Sequence, residues 1–129
     1  MPNGKQIIGD PIVINGRTLS LSRAVRAGDM IYLTGQIPMQ DGKPMTEGSI
    51  EDQTRNCMEQ IRATLQLAGC DLPDIVKTTV WLRDRADFPG FDATYGEYFE
   101  SHPPARTGLL NDFLVDIKVE IECIAYAGD

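Results

Sequence analysis

The sequence predicts an α+β fold, a mixed sheet with two helices packed on one of its faces. Three observations predict it. Two stretches, Asp74–Asp84 and Asp116–Tyr126, alternate apolar and polar residues with the period of two that a half-buried strand shows. The stretch Ile50–Ala68 repeats apolar residues at steps of three and four, the period of an amphipathic helix. The order of these elements is strands, helix, strand, helix, strands, which suits a layered α+β domain covering residues 1–129.

Each element follows from local chemistry. Asn15-Gly16 sits between alternating apolar residues, a strong short-range hairpin signal. Met30–Pro38 reads as a buried strand ending at Gly35, and the glycines, proline and polar residues of MQDGKPMTEGS read as a loop. Ser49 and Asp52 resemble a capping box opening the first helix. Ile50, Thr54, Cys57, Met58, Ile61, Leu65 and Ala68 form its inner face, and Gly69 suits its C-terminal cap. In the next strand Val76, Thr78, Val80 and Leu82 share one face, and Ile75, Lys77, Thr79 and Trp81 the other. Asp87 is placed to cap a second helix with Pro89 in its first turn, and Phe88, Phe91, Tyr95 and Phe99 line its inner side. In the last strand Ile117, Val119, Ile121, Cys123 and Ala125 point one way, and Lys118, Glu120, Glu122, Ile124 and Tyr126 the other. The second sheet face, with Trp81 and Tyr126 among charged residues, suits either solvent or another subunit.

Composition removes several function classes. The chain has 129 residues, 42% of them hydrophobic, enough for one core. No apolar run reaches membrane-spanning length, and MPNGKQIIGDPIVING lacks the apolar segment of a signal peptide, so a soluble cytoplasmic protein is expected. The net charge is -7 and no basic run occurs, which argues against a phosphate-backbone partner. One histidine and three cysteines without a Cys-x-x-Cys pair give no metal-site pattern. Cys57 and Cys123 fall on apolar faces and read as small core residues.

Two charged residues carry candidate chemistry. Arg106 follows Pro103 and Pro104, which stiffen the chain before it. A guanidinium held there can grip a carboxylate with two parallel N–H groups, or can serve as a structural ion pair. Glu120 lies between Val119 and Ile121, so partial burial would raise its pKa toward values useful for proton transfer. A solvated outer face shared with Lys118 and Glu122 is the alternative. His102 reads as a solvated loop residue. Thr34 and Gly35 could offer a hydroxyl and a close backbone amide to an anion, or could simply end a strand.

Four stretches in order, LSRAVRAGDMIYLTGQIP, DIVKTTVWLRD, DFPGFDATYGEYF and PPARTGLLNDFLVDIKVEIECIAY, resemble the reactive intermediate deaminase (RidA, or YjgF) family from about Leu21 to Tyr126. Gly35-Gln36-Ile37-Pro38, Pro104-Ala105-Arg106 and Glu120-Ile121-Glu122 carry the likeness. The resemblance implies a chorismate-mutase-like fold assembled as a homotrimer, with an inner β-barrel and clefts between neighbouring subunits. It implies hydrolysis of enamines and imines of the 2-aminoacrylate type to 2-keto acids and ammonia, with no metal or organic cofactor. Arg106 matches the arginine that clamps the substrate carboxylate, and Glu120 the glutamate that positions the attacking water, the two forming halves of one site. Thr34 and Gly35 match cleft-lining positions, and Tyr95 matches a position, usually aromatic, that is either cleft or core.

The sequence departs from the family pattern at three places. Leu21 stands where the active deaminases usually have tyrosine, Arg23 where glutamine is frequent, and Thr107-Gly108 where Ser-Cys or Ser-Thr is common. Leu21 suits a bulkier or flatter substrate, such as an aminomuconate-type compound, in a pathway-specific deaminase. It equally suits a non-catalytic trimer that binds small carboxylate metabolites. Ribonuclease activity, a label often attached to this family, sits poorly with the acidic balance and the single histidine.

Overall fold

The computed structural model describes residues 4–128. Strand β1 (Lys5–Ile8) is followed by the hairpin of β2 (Val13–Ile14) and β3 (Arg17–Thr18). Asn15 and Gly16 take φ of 53° and 76°, the two left-handed residues that a tight hairpin turn requires. Strands β4 (Ala24–Ala27) and β5 (Met30–Leu33) then pair antiparallel. β5 stops at Leu33 rather than Gly35, because the chain leaves the ladder there and returns only at an isolated bridge between Gln36 and Ile121. The expected loop after it contains a second hairpin, β6 (Met39–Gln40) and β7 (Lys43–Pro44), turning through Asp41 and Gly42 at φ of 55° and 76°.

Helix α1 (Ile50–Leu67) forms as its end signals dictate. The Ser49 hydroxyl accepts the Asp52 N–H at 3.1 Å. At the far end the Cys70 N–H reaches the Leu65 carbonyl and the Gly69 N–H reaches that of Gln66, with Gly69 at φ of 78°. Ile50, Thr54, Cys57, Met58, Ile61 and Leu65 are buried, as the periodicity predicts.

Strand β8 (Ile75–Leu82) leads to helix α2 (Phe88–Tyr98), then β9 (Ala105–Leu110) and β10 (Val119–Tyr126). The six-stranded sheet has the order β1-β4-β5-β10-β8-β9, with β8 and β9 parallel and the other pairs antiparallel. Its mixed character and two helices bear out the expected α+β class. Two local expectations are corrected. A bulge at Ile124/Ala125 shifts the β10–β8 register, so Ile75 is buried and Val76 is 45% exposed, the reverse of strict alternation. Asp87 makes no side-chain cap; Asp84 caps a short 3-10 turn (Arg85–Asp87) that runs into α2.

The helices cover the face bearing Val80, Ile121, Cys123 and Ala125, each at most 2% exposed. The other face is uncovered. A register row crosses it through every strand: Ile7, Val25, Tyr32, Ile124, Lys77 and Ala105. Ile7 is 63% and Tyr32 46% exposed, large apolar surfaces for a chain of this size.

Among the described residues, the Thr54 hydroxyl is the buried side-chain polar atom that finds no partner. An unsatisfied hydroxyl of this kind is destabilising relative to an isosteric methyl. Thr54→Val is therefore expected to raise the unfolding free energy by about 1 kcal/mol, read as a higher urea midpoint at unchanged slope.

Candidate functional site

Glu120 occupies the open face of β10, in register with Trp81 of β8. The Gln36–Ile121 bridge brings the 34–37 segment against this strand, with N–O distances of 2.7 and 3.0 Å. Gly35 then lies directly beside the Glu120 carboxyl. A Cβ added there would overlap Oε2 and come within 3.2 Å of the carboxyl carbon. Gly35 thus leaves room for the Glu120 carboxyl in this position, and no unusual backbone angle calls for it. The segment is locked from behind: Gln36 donates to Gln60 Oε1 at 2.8 Å, and the Cys57 thiol donates to the Gln36 carbonyl at 3.4 Å. Half-burial raises the Glu120 pKa above the usual carboxyl range, and the neighbouring charge of Glu122 adds to the rise.

Glu120 stands in a cavity of about 900 Å³ together with Thr34, Gly35, Leu21 and Arg23. Ile12, Ile14, Ile37 and Phe113 contribute apolar wall. The Thr34 hydroxyl donates to the Ser22 carbonyl at 2.5 Å, which leaves its lone pairs to accept. Arg23 donates through Nε to the Asp10 carbonyl at 3.1 Å. The structure thus gathers Glu120, Thr34, Gly35, Leu21 and Arg23 in one place.

Arg106 is elsewhere. On β9 it is in register with Thr78, whose side chain is buried under α2, so Arg106 lies on the helix-covered side of the sheet. Its guanidinium stacks over the rings of Phe88, Phe91 and Tyr95, at 5.7, 5.7 and 4.9 Å from their centres. Nη1 donates to Asp92 Oδ1 at 2.8 Å, with the Arg106 side chain 28% exposed. The ion-pair reading of Arg106 is the one a single chain shows, and the pair engages Nη1 of the fork. A single chain does not bring Arg106 and Glu120 together, since they occupy opposite faces of the sheet.

Tyr95 is core. It is 4% exposed, and its hydroxyl shares a 2.7 Å hydrogen bond with Thr78. Burial raises its pKa, so it remains a neutral phenol that supports Arg106 from beneath. Thr107 points to the open face and accepts from Lys77 Nζ at 2.6 Å. His102 is an exposed loop residue bonded to Ser101. Asp92 and the half-exposed Phe88 carry roles that sequence reading missed. Phe88 was visible only as one of a stripe of aromatics, and nothing in the order of residues ties Asp92 to Arg106. Among the described residues no helix is long and apolar enough to cross a membrane, and no group of His, Cys, Asp or Glu is arranged to hold a metal ion.

The fit of Gly35 to Glu120 has a direct readout. Gly35→Ala is expected to fold, since no unusual φ is needed there, but to push the Glu120 carboxyl into solvent. Its pKa, followed by NMR, should then fall toward the ordinary range. Linkage gives a second expectation. A carboxyl whose folded pKa is raised disfavours the folded state once pH climbs through the interval between its unfolded and folded values. Glu120→Gln should therefore melt above the native protein at neutral pH, with the gap closing as pH falls below the unfolded carboxyl pKa.

Comparison with known proteins agrees with this architecture. The family model described as endoribonuclease L-PSP matches residues 17–127. A RutC family protein of Pyrococcus horikoshii is 42% identical over 108 residues, covering 81% of this chain and 85% of that one. Reactive Intermediate Deaminase A of Arabidopsis thaliana chloroplasts is 36% identical over 107 residues, covering 81% and 57%. Among solved structures, yeast Mmf1 superposes with a TM-score of 0.87 at 28% identity, over 96% of this chain and 99% of that one. E. coli TdcF with bound serine superposes at 0.83 and 30% identity, over 95% and 99%. On sequence and fold alike, the chain belongs to the RidA/YjgF family, whose family model carries the L-PSP description.

Proposed function

We propose that the protein hydrolyses small 2-imino or enamine carboxylates to 2-keto acids and ammonia. The carrying observation is Glu120, a half-buried carboxyl of raised pKa beside a glycine that clears space for it. Such a group is suited to orient a water and accept its proton as a general base. The deaminase name of the Arabidopsis relative and the amino-carboxylate bound to TdcF support the same chemistry.

Arg106 holds the substrate carboxylate through the edge of its fork that Asp92 leaves free. Water adds to the carbon of the protonated C=N bond while Glu120 accepts its proton. That proton passes to nitrogen, Glu120 then takes the hydroxyl proton as the C=O bond forms, and the C–N bond of the carbinolamine breaks to release ammonia. Since one chain holds Arg106 and Glu120 on opposite sheet faces, the complete site takes Arg106 from one copy and Glu120 from another. A homotrimer provides this arrangement. The uncovered row from Ile7 to Ala105 and the all-exposed edge strand β9 offer surfaces for it.

Leu21 favours a second reading, because an apolar side chain stands at the cavity wall where a hydroxyl would assist proton transfer. In that reading the protein binds carboxylate metabolites without turning them over. The net charge of -7 gives a nucleic acid no long-range attraction, which weighs against ribonuclease chemistry.

Keto-acid release from 2-aminoacrylate generated in situ separates these readings. Arg106→Ala should lower kcat/KM by about 10²-fold or more, and Glu120→Gln should lower kcat by about 10²–10⁴-fold. Unchanged release by Arg106→Ala would remove the clamp. Ligand binding by a native protein that turns nothing over would favour the binder. Sedimentation should give the mass of three chains, and monomers at working concentration would exclude the shared site.

A further inference from the structure

We infer that Gly108 opens a side-chain subsite beside Arg106, and that the preferred ligand is a 2-imino acid with a branched or aromatic apolar side chain. This rests on the reading above that Arg106 clamps the carboxylate. Arg106, Gly108 and Leu110 alternate onto one side of β9, in register with Thr78, Val80 and Leu82. Two residues along a strand span about 7 Å. A ligand held at the guanidinium therefore lays its next few carbons over Gly108.

There is room for them. A Cβ built on Gly108 meets nothing within 4 Å. The space is a cavity of about 220 Å³. Val80, Leu82 and Phe91 form a buried floor, while Phe88 and Leu110, 45% and 49% exposed, form the rim. The charged residues lining it are Arg106 and Arg85, with no carboxylate among them. An anionic head and an apolar tail are the two halves of the ligand that this surface complements.

Nothing in the backbone asks for glycine here. Gly108 has no positive φ, and it sits inside a strand, where a residue with a side chain is more stable. A glycine that the chain conformation does not need, in a strand next to a guanidinium on three aromatic rings, marks close approach by something outside the strand. The unused edge of the Arg106 fork beside an apolar floor assigns that approach to a ligand with a carboxylate and an apolar tail.

The test uses imines formed in situ from alanine and from leucine by an amino-acid oxidase. The native protein should show a kcat/KM for the leucine-derived imine about tenfold or more above that for the alanine-derived one, since a few buried methylenes each favour binding about fourfold. The ratio should fall about tenfold in Gly108→Val, with Gly108→Ala intermediate, and melting curves confirm that both variants fold. A ratio near one in the native protein, or one unchanged by Gly108→Val, overturns the subsite.

Binding of pyruvate and of the leucine-derived keto acid, followed by NMR, separates this inference from the reading beneath it. If no imine is turned over but the larger keto acid binds more tightly, and loses that advantage in Gly108→Val, the deaminase reading fails and the subsite stands. If neither keto acid binds, both fail. If Gly108→Val alters sedimentation and leaves the binding ratio intact, a partner chain fills the space and the subsite is overturned.

Discussion

The two-sided pairing of β10 is the constraint on which the structure depends. This strand bonds to β8 along most of its length, to β5 at its end and to Gln36 near its start. Its alternation drives Val119, Ile121, Cys123 and Ala125 into the core and sends Glu120 and Glu122 to the open face. A slip of one residue would bury both carboxylates and expose four core side chains, so only one register is tenable. The position of Glu120 is consequently fixed by hydrophobic patterning several residues to either side. Gly35 is then fixed by Glu120, through the bridge that brings its segment alongside.

Much of this was legible from the residues alone. Helix α1 announces itself at both ends, by Ser49 and Gly69, and along its stripe from Ile50 to Leu65. Strand β10 shows its two faces without ambiguity, and Asn15-Gly16 gives the first hairpin. The failures share a cause: the deciding information lies in a partner segment. The bulge opposite Ile75 and Val76 arises from the offset of two ladders and leaves no glycine or proline to mark it. The Met39–Pro44 hairpin has strands of two residues each, too short for a period to register, although Asp41-Gly42 was there to be read. Asp84 and Asp87 are equally good caps as letters, and the extra 3-10 turn selects between them.

The candidate site was legible only in part: the fold gathers Glu120, Thr34, Gly35, Leu21 and Arg23, and one chain leaves Arg106 apart from them. Arg106 and Glu120 stand close in sequence, which suggests proximity. Knowing that β9 lies parallel beside β8 while β10 lies on the other side is what reveals their opposite faces. Three features are also at odds with stability. Glu120 is held where its charge is disfavoured, Gly35 forgoes a side chain to admit it, and Gly108 leaves a strand position empty beside Arg106. Each departs from what the local fold would choose, and all three are at surfaces that a small molecule can reach.

The Arg106–Asp92 pair has a consequence for discrimination between anions. The guanidinium carries an internal counter-ion, so the field it presents to solvent is partly offset. Chloride, phosphate or any compact ion that offers charge alone gains little by arriving there. A carboxylate gains more, because it can engage the free edge of the fork in plane while the rest of the molecule covers Phe88 and its neighbours. On the proposed clamp role of Arg106, the aspartate acts as a filter: it makes shape and apolar contact, rather than charge, the basis on which a molecule is retained.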